Sequence, residues 1–389
     1  MSINSCVGVK YMLYFINRGK EYMEKTSKVR ESSFELMRII SMFMIVVWHV
    51  IICGVGLDQV SESLSFSFDT IKSLFVVHVN SFVLLTGYFQ SKSKFRLKKV
   101  FSLVGLSWFY RILAVIVVLS LSLTTLSNLE ILNNVFILPL GHEHWFIHFY
   151  ILLYLVSPFL NIFIERTSQS EFKKLLLVLI GIVYLLPYLS NQGFYTNDYG
   201  FSFAHFIVLY FIGAYFRMYP IKESYHFKNL SKKNFRILLI LVFLGCAFFS
   251  LAILYLGKYV CNISYGQGSV LFEVGMALQS HAGAYDYPLV ILQTCAYVLF
   301  FSTISFKNKI INRISTLMIG IYLIHESELF KPYIYEFFAF NTSANSGLII
   351  LLQIFGVALM IFILSGVIEF IRQEICKLLK FIFVRFRRI

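Results

Sequence analysis

Long apolar runs separated by short basic segments dominate the chain. A helix needs roughly 20 apolar residues to cross a bilayer, and ten runs approach that length. They cover approximately residues 34–54, 69–90, 100–122, 143–164, 173–190, 201–219, 235–256, 288–306, 314–330 and 347–371. None shows the alternation of a barrel strand, and a helix satisfies its own backbone in lipid. The pattern predicts an all-α integral membrane protein, a bundle of about ten transmembrane helices.

The basic residues predict which side each connecting segment faces. If the N-terminus is cytoplasmic, 29 of the 34 lysines and arginines fall in cytoplasmic segments, and the external loops hold only Lys258 and Lys331. Cytoplasmic loops of membrane proteins are enriched in lysine and arginine. One wrong span would exchange the sides of all later loops. The imbalance therefore predicts ten spans, cytoplasmic N- and C-termini, and a multi-pass protein of the cytoplasmic (inner) membrane.

Composition supports the membrane assignment and narrows the meaning of the charge. The chain has 58% hydrophobic and 14% charged residues, against about 45–50% and about 25% in soluble domains. The net charge of +14 comes from segments between apolar runs. Such charge orients the spans in the membrane and attracts anionic lipid headgroups. We therefore expect membrane lipids and no nucleic acid among the partners. The six cysteines form no Cys-x-x-Cys pair and no disulfide framework.

The first apolar run carries ionisable residues, which are costly inside a membrane and mark functional candidates. Arg38 and His49 are 11 residues apart, which at 100° per residue is about 20° from three full turns. Both should therefore face the same way, about 16 Å apart along the helix. Glu35 lies one turn before Arg38, where an ion pair can form. The alternatives are a snorkelling Arg38 and a structural His49.

This segment resembles the first helix of the acyltransferase 3 family of bacterial membrane acyltransferases. The family hallmark is an Arg, ten residues and then a His, often after Glu-Leu-x-x-Arg. Arg38 and His49 match this spacing, and Glu35-Leu-Met-Arg38 has one residue fewer between Leu and Arg. Three later segments, in the same order as in the family, are similar to its motifs: Phe82–Phe89, Trp145–Asn161 and Gly320–His325. In the first of these, Thr86 and Tyr88 replace the family's Ser and Phe.

The resemblance implies the reaction and a domain division. It implies transfer of an acyl group, usually acetyl, from cytoplasmic acyl-CoA to a hydroxyl of a cell-envelope or capsular polysaccharide or its lipid-linked precursor. Acetyl-CoA would be a co-substrate, and no cofactor would be bound. His49 would be the essential catalytic residue, with Arg38 and Glu35 beside it. We expect a basic cytoplasmic extension over residues 1–30, a ten-span acyltransferase domain over 31–372, and a basic cytoplasmic tail over 373–389.

The chemistry of the residues agrees with such a transfer. Histidine is suited to take a hydroxyl proton near neutral pH, and an acyl-imidazole intermediate is the alternative. The donor's phosphates need cations, for which Arg96, Lys98 and Lys99 are the candidates. Here Arg96-Leu-Lys-Lys99 departs from the family's Arg-x-x-Arg, so one bidentate phosphate grip is lost. The alternative for this segment is ordinary cytoplasmic positive charge.

The depth of His49 suggests that the thin arm of the donor reaches it through a pore from the cytoplasm. Other polar and aromatic residues are predicted to line this pore or contact the acceptor. They are His325, Glu326, Trp145, Tyr88, Asn80 and His78. Each also has a structural alternative, such as an interfacial aromatic belt for Trp145. His142, Glu143, His144 and His148 invite a metal hypothesis, but the pattern His-Glu-x-x-His does not occur there. We therefore predict no metal.

A second function class fits the same pattern. A secondary transporter or exporter of polysaccharide units would also have many spans and buried ionisable groups, although such proteins often show internal repeats and broken helices at matched positions. Acyl-CoA binding would separate the two hypotheses. The sequence leaves open the acceptor, the acyl group and the oligomeric state.

Overall fold

The computed structural model of the protein describes residues 31–55, 60–136, 144–186, 198–337, 340 and 346–386. Within these ranges the fold is all-helical, as predicted. The α-helices are α1 Ser32–Gly54, α2 Glu62–Phe75, α3 Val77–Gln90, α4 Leu97–Ser120, α5 Asn128–Phe136, α6 Trp145–Arg166, α7 Gln169–Ile180, α8 Phe203–Met218, α9 Lys232–Asn262, α10 Val270–His281, α11 Pro288–Ser302, α12 Lys309–Ile314, α13 Met318–His325, α14 Lys331–Phe337 and α15 Gly347–Phe386.

Six of the described helical stretches are long and apolar enough to cross a membrane. They are α1, α2 together with α3, α4, α6, α9 and α15. Two more, α8 and α11, are apolar but shorter. The protein is therefore a multi-pass membrane protein, and the count of ten spans stays a prediction.

The two remaining apolar runs contain composite helices. In the run at 173–190, α7 passes into a π-helical turn at Gly181–Leu185, and residues after 186 lie outside the described ranges. In the run at 314–330, a 3₁₀ turn at Ser315–Leu317 joins α12 to α13, which has eight residues. A helix of eight residues rises only about 12 Å, so α13 reaches part of the way through a bilayer.

The closest helix crossing lies between α3 and α8 and depends on two glycines. A Cβ atom on Gly87 would lie 2.0 Å from the carbonyl oxygen of Tyr210, and one on Gly213 would lie 2.0 Å from that of Leu84. Helices in membranes approach most closely where small residues let their backbones touch. This crossing organises one of the two large hydrophobic clusters, with Leu84 and Tyr210 fully buried.

Hydroxyl groups join three helices in the middle of the bundle. Ser41 Oγ of α1 lies 2.9 Å from Ser81 Oγ of α3 and 3.3 Å from the hydroxyl of Tyr297 on α11. Ser41 and Ser81 are fully buried. Because buried polar groups need partners, these bonds fix the relative positions of α1, α3 and α11.

The basic segments gather at one end of the bundle, which we call the Arg38 end; the opposite end, at the C-terminus of α1, is the Gly54 end. Arg217 donates a hydrogen bond of 3.3 Å to the Tyr88 hydroxyl, and Arg313 pairs with Glu374. These contacts tie the connections after α8 and α11 to α3 and α15. The side of the membrane that each end faces stays a prediction.

The predicted domain limits fall unevenly on the structure. Residues 1–30 lie outside the described ranges. The predicted start of the tail at residue 373 lies inside α15, which continues as one helix to Phe386. The segment between the apolar runs at 235–256 and 288–306 contains α10, which packs on α9. At their contact, a Cβ on Gly257 would lie 2.7 Å from the carbonyl oxygen of Gly275.

Candidate active site

The centre of the candidate site is a pair of histidines from helices far apart in the chain. Nδ1 of His49, five residues before the end of α1, lies 3.1 Å from Nε2 of His325, the last residue of α13. The ring centroids are 5.2 Å apart. His325 is fully buried. The packing of α13 against α1 thus brings together two residues that the sequence assigned to the same pore.

Backbone geometry assigns the tautomers of both rings. Nδ1 of His325 lies 2.6 Å from the carbonyl oxygen of Ile321. A carbonyl only accepts hydrogen bonds, so this nitrogen carries the proton, and Nε2 of a neutral His325 is an acceptor. His49 then donates from Nδ1 to His325. The remaining nitrogen of His49, Nε2, keeps its lone pair and is the basic atom.

A carboxylate and an ammonium complete the cluster. Oε1 of Glu326 lies 3.1 Å from Nδ1 of His49 and 3.1 Å from Nζ of Lys331. The side chain of Glu326 is 11% exposed and that of His49 16%, so water screens their interaction only partly. A positive charge that forms on His49 would therefore meet a negative charge held in place by Lys331. The geometry therefore sets one carboxylate oxygen against Nδ1 of His49.

A cavity opens beside this cluster at the Gly54 end. Its volume is about 390 Å³, and Lys331, Cys53, Gly54, Tyr335 and Glu328 are among the residues that line it. Pockets for small molecules usually have about 300–1,000 Å³. The cavity is large enough for a sugar unit. Lys331, which pairs with Glu326, forms part of its wall.

The same cluster has the composition of a metal site. The ligand atoms of His49, His325 and Glu326 lie within 4.8 Å of one another, and two imidazoles with one carboxylate are a ligand set that zinc accepts. The sequence had raised a metal only at residues 142–148. Of these, His142 and Glu143 lie outside the described ranges, and the ring of His144 packs 5.7 Å from that of Tyr322.

A second group of functional candidates lies at the Arg38 end. Arg38 forms the predicted ion pair with Glu35, at 2.7 Å, and its side chain is 27% exposed. Its guanidinium lies 5.7 Å from the ring of Phe89, and that of Arg217 lies 5.1 Å from the ring of Tyr88. Arg38 and Arg217 therefore lie over neighbouring aromatic rings. Two guanidinium groups placed in this way can bind an anion at the surface of the bundle.

The predicted donor-binding residues lie near this end on the surface. Arg96, Lys98 and Lys99 are exposed. The backbone N–H of Arg96 donates to the hydroxyl of Tyr154 at 3.1 Å, and Nζ of Lys99 lies 5.4 Å from the ring of the same tyrosine. Tyr154 thus fixes the start of α4, which leaves the three charges accessible to a phosphate.

The predicted pore-lining residues do not all lie together: His325 and Glu326 lie at His49, and the others lie elsewhere. Tyr88 lies with Arg217 at the Arg38 end, away from His49. Asn80 is fully buried and uses both ends of its amide, donating to the Tyr285 carbonyl at 2.7 Å and contacting His205 at 2.9 Å. These two contacts join α3 to the segment before α11 and to α8.

His78 and Trp145 both contact Tyr285. The ring of His78 meets that of Tyr285 edge-on, with centroids 5.7 Å apart, and the indole of Trp145 stacks at 6.3 Å. Trp145 also lies 4.5 Å from the ring of Phe201. Tyr285 therefore links an aromatic cluster at the start of α6 to a histidine of α3 that is close enough to His49 for their charges to interact.

Sequence analysis missed two residues of these groups. Lys331 was counted only as a charge of an external loop, and Arg217 only as a charge of a cytoplasmic segment. The signal for Lys331 was its spacing of five residues from Glu326 across a chain reversal. Arg217 lies in the last turn of α8, where cations commonly interact with the helix dipole, so nothing in the sequence distinguished it.

Comparison with known proteins identifies the family of the chain. The family model for the acyltransferase domain of the acyltransferase 3 family matches residues 31–370, most of the chain. No curated protein and no solved structure matches it. The fold and the site define a multi-pass membrane protein with a buried imidazole pair. The chain belongs to the acyltransferase 3 family, and this supports a membrane acyltransferase.

Proposed function

We propose that the protein transfers an acetyl group from cytoplasmic acetyl-CoA to a hydroxyl of a cell-envelope or capsular polysaccharide or its lipid-linked precursor. One observation carries the proposal: Nδ1 of His49 lies against His325 and Glu326, which leaves Nε2 as the basic atom. Lys331, the partner of Glu326, lines the cavity at the Gly54 end. The family membership supports the class of reaction.

The reaction balances with His49 as the only group that exchanges a proton. Nε2 takes the proton of the acceptor hydroxyl while the oxygen attacks the thioester carbonyl carbon. The carbon–sulfur bond then breaks, and the departing sulfur takes the proton from Nε2. The products are an ester and free CoA. If Nε2 of His49 attacks the carbonyl itself, CoA leaves as the thiolate and an acyl-imidazolium forms. The acceptor hydroxyl then attacks its acyl carbon, which releases Nε2 and gives the ester, and the hydroxyl proton passes to the CoA thiolate.

Glu326 and Lys331 would supply the electrostatic part of the mechanism. When Nε2 takes a proton, the imidazolium carries a positive charge, and the carboxylate 3.1 Å from Nδ1 stabilises it. In surroundings of low dielectric such a pair is stronger than in water. Lys331 at 3.1 Å holds the carboxylate in place, and its position beside the large cavity puts it where the acceptor enters.

We further propose that the substrates arrive from opposite ends. The Arg38 end would face the cytoplasm, where Arg96, Lys98, Lys99, Arg38 and Arg217 bind the phosphates of the donor. Its pantetheine arm would then extend along α1 toward His49. The acceptor would enter through the cavity at the Gly54 end, on the external face. The acetyl group would therefore cross part of the membrane during transfer.

The test is O-acetylation of envelope polysaccharide, measured by NMR in cells that lack the gene and are rescued at matched membrane abundance. We expect wild type and the control His226→Ala, an exposed histidine, to restore acetyl signals. His49→Ala should restore less than about 1% of them, since general base catalysis contributes about 10²–10⁴-fold. Restoration by His49→Ala contradicts the role of His49. If no acetyl signal depends on the gene, the proposed reaction is wrong and export of polysaccharide units replaces it.

A further inference from the structure

A second, smaller cavity lies between α1, α2 and the segment that precedes α11. Its volume is about 30 Å³, and the residues that carry the following argument line it: Trp48, Lys72, His78, Gly283 and Tyr285. A single water needs about 10–15 Å³ in such a cavity. There is room for a group the size of a carboxylate, but none for a sugar ring.

Lys72 brings a positive charge into this cavity from a membrane-spanning stretch. Its ammonium lies 5.5 Å from the ring of Trp48, and no ion pair to it forms within the described ranges. The acid one turn earlier, Asp69, is instead bound to Lys258 at 2.7 Å and to the hydroxyl of Tyr255 at 3.2 Å. Asp69 therefore attracts Lys72 without contacting it. A half-buried ammonium without a counterion in contact is costly, so its place beside an open cavity indicates an anionic ligand.

The opposite wall of the cavity is shaped to admit the lysine. A Cβ atom on Gly283 would lie 2.6 Å from Cε and 2.9 Å from Nζ of Lys72. Any other residue at this position would displace the ammonium group. The backbone of the segment before α11 therefore leaves the space that Lys72 occupies.

His78 supplies a second polar group without a partner. The side chain is 3% exposed, and its buried Nδ1 has no hydrogen-bond partner in the described part of the chain. A buried imidazole nitrogen without a partner loses the hydrogen bond it had in water. A carboxylate in the cavity would accept from the imidazole and from the ammonium together.

The cavity adjoins the reaction centre. Trp48, which lines the small cavity together with His78, directly precedes His49 in α1. The large cavity that admits the acceptor is lined by Cys53 and Gly54, four and five residues further along the same helix. A group held in the small cavity would therefore belong to the molecule whose hydroxyl approaches His49.

We propose that this cavity binds a carboxylate of the acceptor, so that the substrate class is an acidic glycan containing a hexuronic acid or similar sugar. The ammonium of Lys72 and a ring N–H of His78 would hold the carboxylate, and Trp48 and Tyr285 would flank it. This inference rests on the proposed acyl transfer and assigns its acceptor.

The first measurement compares two acceptors with the full-length protein in lipid nanodiscs. Transfer from acetyl-CoA to methyl β-D-glucuronide should exceed transfer to methyl β-D-glucoside by at least about tenfold in kcat/KM, which corresponds to about 1.4 kcal/mol. In Lys72→Met the ratio should fall to about one, because the charge is lost and the length is kept. Lys233→Met, which removes an exposed positive charge near the start of α9, is the control, and it should keep the wild-type ratio.

The second measurement is binding of glucuronate by calorimetry without acetyl-CoA, which separates this inference from the proposed function. Wild type and Lys233→Met should bind glucuronate, and Lys72→Met should not. Binding without any acyl transfer leaves the carboxylate site standing and contradicts the proposed reaction. Equal transfer to both acceptors in wild type overturns the carboxylate site alone. Tighter binding of glucose 1-phosphate than of glucuronate also overturns it, in favour of a phosphorylated acceptor.

Discussion

The two ends of α1 hold their ionisable groups in different ways. At the Arg38 end, Arg38 and Arg217 lie over aromatic rings, and Arg38 is 27% exposed. Near the Gly54 end, His49 and Glu326 are 16% and 11% exposed and lie against each other, and His325 is fully buried. The first arrangement leaves cations in reach of solvent, and the second removes an imidazole from it.

The difference follows from what each group can do. A guanidinium keeps its charge and binds phosphate well from a partly hydrated position, with an aromatic face beneath it. An imidazole that moves a proton benefits from a fixed tautomer and a nearby carboxylate, both of which need shielding from water. In the proposed reaction, one helix would therefore carry a binding end and a reacting end.

Among the variants that test the difference between the two ends of α1, Glu326→Gln should have the largest effect. The substitution keeps the size of the side chain and removes the charge that faces His49. We expect kcat for acyl transfer to fall about 100-fold, the scale for removing one preorganised electrostatic group, with little change in KM for acetyl-CoA. The matched control is Glu328→Gln, an exposed acid that lines the large cavity. Equal losses in both variants would show a general effect of negative charge at the Gly54 end.

A smaller effect, on stability, is expected from Gly213→Ala. Its Cβ would lie 2.0 Å from the carbonyl oxygen of Leu84, so α3 and α8 must separate. Overpacking of this kind costs about 1–3 kcal/mol, and the melting temperature in detergent should fall. The control is Gly245→Ala, where no atom lies within 4 Å of the added methyl group and the melting temperature should not fall. A fall of equal size in the control would mean that alanine is unfavourable at either position.

The smallest effect is expected from Arg217→Gln and would sharpen the comparison. If the Arg38 end binds the donor, KM for acetyl-CoA should rise about 3- to 10-fold, as for the loss of one charge-assisted hydrogen bond, and kcat should stay the same. Arg166→Gln removes an exposed charge from the last turn of α6 and should leave KM unchanged. A change in kcat without a change in KM would assign Arg217 to the reacting end instead.

The sequence predicted the contents of the first helix well. The ion pair of Glu35 and Arg38 lies within one turn, so helix geometry alone determines it. The pairing of His49 with His325 spans 276 residues, and its distance depends on how α1 and α13 pack. Periodicity placed both residues in membrane helices, and the family resemblance suggested one pore. Neither could give the 3.1 Å contact or the position of Lys331.

Other parts of the fold could not be read from hydropathy. The run at 314–330 approaches the length of a spanning helix, yet it contains a 3₁₀ turn and a helix of eight residues. Composition does not distinguish a short buried helix from a spanning one. Hydropathy also gave Lys72, in the run at 69–90, no special role, because its relation to Trp48 and Gly283 arises from three separate segments. Tyr88 and Asn80 likewise have neighbours that only the packing determines.

The glycine crossing of α3 and α8 also bears on permeability. A protein that transfers a chemical group through a membrane must not become a conductor of protons or ions. Where Gly87 and Gly213 bring backbone atoms of the two helices into contact, no chain of water molecules can form between them. At the level of these two glycines the space between α3 and α8 is closed to water, and an acyl group moving along the bundle as proposed would pass on another side of α3.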